Sequence, residues 1–295
     1  MPLLDKLREQ YGVGPVCSEL HIAPSTYYHC QQQRHHPDKR SARAQHDDWL
    51  KKEIQRVYDE NHQVYGVRKV WRQLLREGIR VARCTVARLM AVMGLAGVLR
   101  GKKVRTTVSR KAVVACDRVN RQFVAERPDQ LWVADFTWVS TWQGFVYVAF
   151  IIDVFAGYIV GWRVSSSMET AFVLDALEQA LWARRPSGTI HHSDKGSQYV
   201  SLAYTQRLKE AGLLASTGST GDSYDNAMAE SINGLYKAEV IHRKRWKNRT
   251  EVELSTLTWV DWYNNRRLLE RLGHIPPAEA EKAYYASIGN DDLAA

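Results

Sequence analysis

Three carboxylates carry the chemistry open to this sequence. Asp135 interrupts the apolar run Leu131-Trp132-Val133-Ala134-Asp135-Phe136-Thr137-Trp138-Val139. Asp194 ends the short apolar segment Thr189-Ile190-His191-His192-Ser193-Asp194, and Glu230 follows in Tyr224-Asp225-Asn226-Ala227-Met228-Ala229-Glu230 after 35 intervening residues. A carboxylate within a buried strand is costly unless it is paired or metal-bound, so packing alone does not account for Asp135. Converging from two strands and a helix, the three could hold two divalent cations about 4 Å apart, the geometry used for in-line displacement at phosphorus. Hard carboxylate oxygens with open water positions favour magnesium (Mg2+), and manganese (Mn2+) should substitute.

Neighbouring residues extend this candidate site. Asn226, Glu230, Asn233 and Lys237 fall at i, i+4, i+7 and i+11 and form one polar stripe of a helix. Met228, Ile232 and Leu235 form an opposing apolar stripe expected to pack on a sheet. Lys237, about two turns beyond Glu230, reads either as a contact to a DNA phosphate or as a solvated lysine. Asn226 is a second candidate DNA contact. Lys195-Gly196-Ser197-Gln198-Tyr199 places a cation and polar groups beside Asp194, for substrate or for the strand-to-helix turn. Gly218 to Ser223 reads as a mobile loop, with Glu230 fully positioned only when DNA and metal are bound.

Other groups compete for these roles. Asp153, followed by Phe155-Ala156-Gly157, reads as a hairpin residue more than a metal ligand. Asp222 and Asp225 read as loop and helix-cap residues. His192 shares a strand face with Asp194; it is either a tuner of the site or a buried, hydrogen-bonded histidine. No Ser-His-Asp grouping, phosphate-binding glycine loop or dinucleotide fingerprint stands out.

The elements that must position these groups are legible in outline. Strands are expected at Leu131–Val139, Phe145–Ile152 and Tyr158–Val164, separated by turn residues. A helix capped near Ser167 follows, then a strand over Thr189–Ser193, a helix over Leu202–Ala211 and a strand over Leu213–Ser216. Helices resume at about 226–238 and 250–267. Three antiparallel strands followed by helix–strand repeats fit an α/β class: a ribonuclease H-like mixed sheet flanked by helices.

The preceding region is different in kind. Residues 51–127 hold 19 Lys and Arg against 6 Asp and Glu, whereas residues 1–50 are neutral and residues 128–295 carry a net −4. All the excess positive charge thus lies in one quarter of the chain, which suggests a polyanion partner and salt-sensitive binding. Within residues 48–95 three sets of apolar positions repeat at helical spacing, punctuated by Gly66, Gly78 and Gly94. The outward positions are Arg68, Lys69, Arg72, Arg76, Arg80, Arg83 and Arg88. A small all-α helix-turn-helix-type DNA-binding domain fits this pattern, against a plain helical bundle with a solvated basic face. Residues 14–31 read as a helix-turn-helix fragment or a helical hairpin turning near His21-Ile22-Ala23, and Gln31 to Arg43 reads as a linker. Residues 97–127 form a basic connector that includes Lys102 and Lys103. The four cysteines read as free thiols of a reducing compartment. A zinc site from Cys17, Cys30, His35 and His36 fits no usual spacing. Neither a signal peptide nor a membrane-spanning run is expected, which points to the cytoplasm.

Taken together, the motifs resemble those of bacterial insertion-sequence transposases with a retroviral-integrase-like catalytic core, from the group encoded in two overlapping reading frames. Pro128 to Thr137 resembles the family's first-aspartate motif, His192 to Tyr199 its second, and Tyr224 to Ser231 with Lys237 its third. Tyr263-Asn264-Asn265-Arg266-Arg267 followed by Pro276-Pro277-Ala278-Glu279 resembles its C-terminal signature, and Tyr65-Gly66 its DNA-binding domain. The resemblance covers residues from about 12 to 285. It departs at Leu269, where the family commonly has His.

The resemblance implies five segments. They are an N-terminal helical segment with linker (1–47), a basic helical DNA-binding domain (48–96), the connector (97–127), the integrase catalytic core (128–247) and a C-terminal helical extension (248–295). It implies metal-dependent cleavage of phosphodiesters at element ends and strand transfer by the freed 3′-hydroxyl, with Asp135, Asp194 and Glu230 as ligands of two Mg2+ ions. It also implies a homo-oligomer on double-stranded DNA, a nucleoid-associated location and a partner segment from the upstream reading frame. Two alternatives are a nuclease that cuts without joining and a DNA-binding regulator with an inactive core.

Overall fold

The computed structural model describes residues 2–99, 119, 123–217 and 226–294. Most of the basic connector, with Lys102, Lys103 and Cys116, lies outside the described residues, as do residues 218–225 with Asp222 and Asp225.

The chain opens with three helices, α1 (Pro2–Tyr11), α2 (Val13–Glu19) and α3 (Pro24–His35). They close around Leu4, Val16, Cys17 and Tyr27. The turn falls at His21 to Ala23 and Pro24 opens α3, as the sequence suggests, Pro being favoured in a first helical turn. The expected linker from Gln31 to Arg43 is instead largely ordered. Helix α3 runs to His35, a 3-10 turn covers Pro37–Lys39, and α4 (Ala42–Glu60) begins directly after Ser41. The Ser41 hydroxyl accepts the Ala44 N–H at 3.3 Å, a side-chain cap that starts the helix.

Helices α4, α5 (Val67–Arg76) and α6 (Arg83–Val92) follow. They bury Leu50, Ile54, Val57, Val70, Leu74, Val86, Leu89 and Met90, the apolar positions that recur at helical spacing. This unit docks on the C-terminal helix α10 (Arg249–Asn265). The Tyr65 hydroxyl accepts the Leu268 N–H at 2.8 Å and donates to the Arg266 carbonyl at 3.2 Å. The Trp262 indole donates to Asn61 at 3.1 Å.

Between α6 and α10 in the sequence comes a five-stranded sheet ordered β3-β2-β1-β4-β5. Its strands are β1 (Leu131–Thr141), β2 (Gly144–Asp153), β3 (Tyr158–Ser165), β4 (Ile190–Ser193) and β5 (Leu214–Thr217). The first three pair antiparallel through short turns, and β4 and β5 add in parallel. Helices α7 (Thr170–Arg184) and α8 (Leu202–Glu210) cover one face, with Trp132, Ala134, Phe172, Leu177 and Tyr204 between them. Helix α7 starts at Thr170, later than expected, because Ser167 closes the preceding turn on the Glu169 N–H. A Cβ at Gly161 would run into the Ala176 carbonyl, so α7 packs close against β3. Helices α9 (Ala227–Glu239) and α10 cover the other face, with Val133, Phe150, Ile232, Tyr236 and Trp259 in the core. Helix α11 (Pro277–Ala294) ends the described chain.

Candidate active site

The strand register sets the site. Strand β4 pairs with β1 only from Leu131↔Ile190 to Ala134↔Ser193. Asp135 and Asp194 are the next residue on each strand. Neighbouring strands lie roughly 4.8 Å apart, so the two aspartates leave the last shared rung side by side. Beyond it β1 continues to Thr141 without β4, which opens space over Asp135.

Two amides hold α9 over this opening. Asn226 donates to the Ala134 carbonyl at 2.8 Å, and Asn233 donates to Asp135 Oδ2 at 2.9 Å. Glu230 lies between them at i+4 from Asn226 and i−3 from Asn233, which puts it on the same helical face. The expected stripes of α9 need correction. Asn233, Tyr236 and Ala229 are buried with Ile232, whereas Met228 and Leu235 are only partly covered. Wedged between the sheet and α10, the helix buries a wide arc, so its polar stripe is not turned wholly to solvent.

Asp135 is half-buried. Loss of hydration first, and then the charge of Asp194, push its carboxyl up to about 7, with Glu230 adding to the rise. The Phe136 N–H and the Asn233 amide pull the other way. No ion pair to Asp135 exists among the described residues. Asp194 is exposed and accepts the Gly196 N–H at 3.0 Å, so Gly196 serves the turn. Tyr199 is buried beneath the site, and burial first, then Tyr204, raises its phenol well above the ordinary range, with Asp135 and Asp194 adding to the rise. The Tyr199 hydroxyl and the side-chain oxygens of Asn226 and Asn233 are buried without hydrogen-bond partners among the described residues.

Among the described residues, no three His, Cys, Asp or Glu side chains are gathered closely enough to cage a metal ion. The donor set nevertheless suits a hard divalent cation: carboxylate oxygens, amide oxygens without partners among the described residues, and Asp135 without an ion pair among them. Lys237 is half-buried with its Nζ 5.1 Å from the centre of the Trp138 ring. Burial lowers its pKa while the charge of Asp135 raises it, so the two groups sense each other.

The remaining predicted residues fall into separate places. Asp153 is buried at the end of β2, where it accepts the N–H groups of Asp129 and Phe155, the hairpin role expected of it. His192 is buried, with Nδ1 2.9 Å from the Ser216 hydroxyl. Lys195 is exposed on the loop after Asp194. Arg68 reaches Glu270 at 2.5 Å, Arg88 holds Asp47 at 2.8 Å, and Arg72 lies over the Trp71 ring at 4.8 Å. Arg80 and Arg83 are exposed. Lys69 does not point outward as expected. It folds back 5.2 Å over the Tyr65 ring, and burial followed by the Arg267 charge lowers its pKa to about 8. Leu269 is a core residue whose N–H donates to the Ile275 carbonyl at 3.1 Å. Sequence reasoning overlooked the bracing by Asn233 and the burial of Tyr199. The signal for Asn233 was its spacing, three residues after Glu230 on the same face.

Three family models describe this architecture. An "Integrase core domain" model matches residues 125–223 and a second of the same description matches 211–277. An "HTH-like domain" model matches residues 45–103. A Shigella sonnei protein named transposase for insertion sequence element IS629 is 95% identical over 295 residues, the whole of both chains. A Mycobacterium tuberculosis protein named putative transposase for insertion sequence element IS986/IS6110 is 53% identical, covering 90% of this chain and 96% of its own. Among solved structures, the magnesium-bound catalytic core domain of HTLV-2 integrase matches with a TM-score of 0.41 and 12% identity, over 53% of this chain and 98% of that one.

Proposed function

This chain belongs to the insertion-sequence transposases with an integrase core domain, and we propose that Asp135, Asp194 and Glu230 are its catalytic carboxylates. One observation carries this reading. The β1–β4 ladder ends at Ala134↔Ser193, so Asp135 and Asp194 emerge together, beneath a helix face that bears Glu230 and is bonded to both Ala134 and Asp135. The substrate is the DNA at the ends of the chain's own element, and the reaction is phosphodiester cleavage followed by attack of the freed 3′-hydroxyl on a second phosphodiester. Two Mg2+ ions (or Mn2+), held by the three carboxylates, would activate the attacking oxygen and stabilise the leaving one.

The chain's own residues supply position and charge. Asn233 fixes the Asp135 carboxylate, Asn226 fixes the start of α9, and Lys237 offers its ammonium to a phosphate beside the scissile bond. Arg72, Arg80, Arg83 and Lys195 add phosphate contacts, as do the connector lysines Lys102 and Lys103. Two DNA ends must meet, so the working form is a homo-oligomer on DNA, joined by a segment from an upstream reading frame.

Purified chain, magnesium or manganese and labelled element-end duplexes test the reading, with Glu230→Gln as control. Cleaved and joined products that vanish in the control support it. Cleavage without joining would make the protein a nuclease. Products that persist in the control would overturn the assignment of Glu230.

A further inference from the structure

Past Asp135 the edge of β1 that β4 leaves, bridged again only where Thr141 meets Trp246 among the described residues, borders a groove that the catalytic carboxylates do not explain. It measures about 570 Å³, and its walls include Trp138, Trp142, Lys237, His242, Lys244 and Arg245. Three aromatic side chains crowd this hairpin tip in contact with water: Trp138 is 55% exposed, Trp142 70% and Phe145 58%. Such a patch marks an interaction site more often than a free surface. Its parts are held in fixed relation. Trp138 and Phe145 meet edge to face at 5.3 Å, and the Trp142 N–H donates to the Trp246 carbonyl at 3.0 Å, tying the hairpin to the segment that bears the cations. Lys244 pairs with Glu251 at 2.8 Å, whereas His242 and Arg245 are exposed and form no ion pair among the described residues. No Asp or Glu lines the groove among the described residues.

We propose that this groove holds an unpaired DNA strand, with bases stacked on Trp138, Trp142 and Phe145 and phosphates along Lys237, His242, Lys244 and Arg245. The proposal rests on the active-site reading above, because Lys237 belongs to both places. A cationic channel without acids calls for a polyanion. The indoles narrow the choice further. A duplex keeps the faces of its bases inside the stack, so only unpaired bases can lie on an exposed ring, and stacking beside a basic track binds single strands with little sequence preference. Melting a few terminal pairs and lodging one strand here would leave the scissile phosphate uncovered at Asp135.

The test uses the full chain carrying Glu230→Gln, so that no DNA is consumed. Labelled element-end duplexes are compared, either blunt or ending in a short single-stranded thymidine tail. The tailed duplex should bind about tenfold tighter. Trp142→Ala and Arg245→Ala should each remove most of that preference while leaving blunt-duplex affinity intact. Both side chains are exposed, so neither change should alter the melting temperature. With 5-iodouracil in the tail, photocrosslinks should map to Trp138 or Trp142. Equal affinity for tailed and blunt DNA, or crosslinks confined to other peptides, would overturn the proposal. Parallel cleavage assays keep the two readings apart. Unmutated protein that cuts element ends but shows no tail preference sinks the groove alone. A tail preference in a chain that never cuts supports the groove and counts against the catalytic assignment.

Discussion

The helical unit and the proposed catalytic site treat charge in opposite ways. In α4–α6 five of the ten Lys and Arg are already committed to acids of the same chain. Arg56 bonds Glu53, Glu60 and Glu77, Arg88 holds Asp47, and Arg68 and Arg76 reach across to Glu270 and Glu279. The large positive balance of this segment therefore overstates what it can offer to DNA. At the proposed site, by contrast, Asp135 and Asp194 leave their strands side by side beneath the α9 face that bears Glu230. Asp135 has no ion pair among the described residues, and two amide oxygens nearby lack partners. Charge neutralised within the chain stabilises the fold or orients its parts; charge left uncompensated is what a ligand can complete.

Breaking the proposed catalytic set should have the largest effect. Glu230→Gln or Asp135→Asn should lower cleavage and joining by roughly three to four orders of magnitude, the scale of losing several kcal/mol of transition-state stabilisation. Affinity for element-end DNA should barely change, since neither side chain is a cation. A single-turnover assay beside a filter-binding titration separates the two effects. A parallel loss of binding would mean that the site and the binding surface are not separable as claimed.

The strongest internal compensation lies at the seam between the regions. Arg267 donates to both carboxylate oxygens of Glu239 at 3.1 Å, and both residues are buried. Removing one partner strands the other charge, so Arg267→Ala should cost about 3–5 kcal/mol of folding stability. Arg267→Ala with Glu239→Gln should recover part of it. Urea denaturation decides this, and a cost below about 1 kcal/mol would show the pair to be a dispensable surface bridge.

The sequence exposed these two treatments of charge unequally. The apolar runs of β1 to β3, an aspartate interrupting the first of them and another closing the short apolar segment of β4, are local patterns, so the sheet and both aspartates could be read directly. Ser41 at the start of α4 was also a local signal, hidden because the preceding residues are polar enough to pass for a linker. The rest depends on distant partners. Nothing near Arg68 reveals that it meets Glu270, and no helical wheel shows Lys69 folding back on Tyr65 under the docked C-terminal helix. Asn233 looked like a surface residue of a polar stripe because the breadth of the buried arc on α9 depends on α10.

A pH titration sharpens the contrast at intermediate size. His191 is buried beside Tyr204, its Nε2 3.1 Å from the hydroxyl, and burial first, then the charge of His192, holds its pKa down to about 4. The unfolded value is about 6.5. The neutral ring is thus favoured in the folded state; its contribution is complete above about pH 6.5 and is lost as pH falls toward 4, by about 2–3 kcal/mol. The ion-paired carboxylates of α4 behave differently. Asp48, held low first by the Lys51 hydrogen bond, keeps its charge through that window. His191→Gln should preserve a bond to Tyr204 and flatten the stability profile between pH 6.5 and 4. An unchanged acid limb would move its origin away from His191.

The smallest predicted effect tests the committed cations themselves. Arg80 and Arg83 are exposed with no ion pair among the described residues, whereas Arg88 is held bidentately by Asp47 at 2.9 and 2.8 Å. A free cation that neutralises one phosphate releases about one counterion, so each of Arg80→Ala and Arg83→Ala should reduce the salt slope of DNA binding by about 1. At moderate salt each should weaken affinity by up to about tenfold, uniformly across sequences. Arg88→Ala removes a charge that Asp47 already cancels, and it leaves that carboxylate exposed to the same DNA. Its slope should therefore change little, while any affinity loss should reappear as repulsion that Asp47→Asn relieves. Equal slopes lost at Arg80, Arg83 and Arg88 would mean that DNA strips Arg88 from its partner, and that ion pairs within this unit hold cations in reserve without cancelling them.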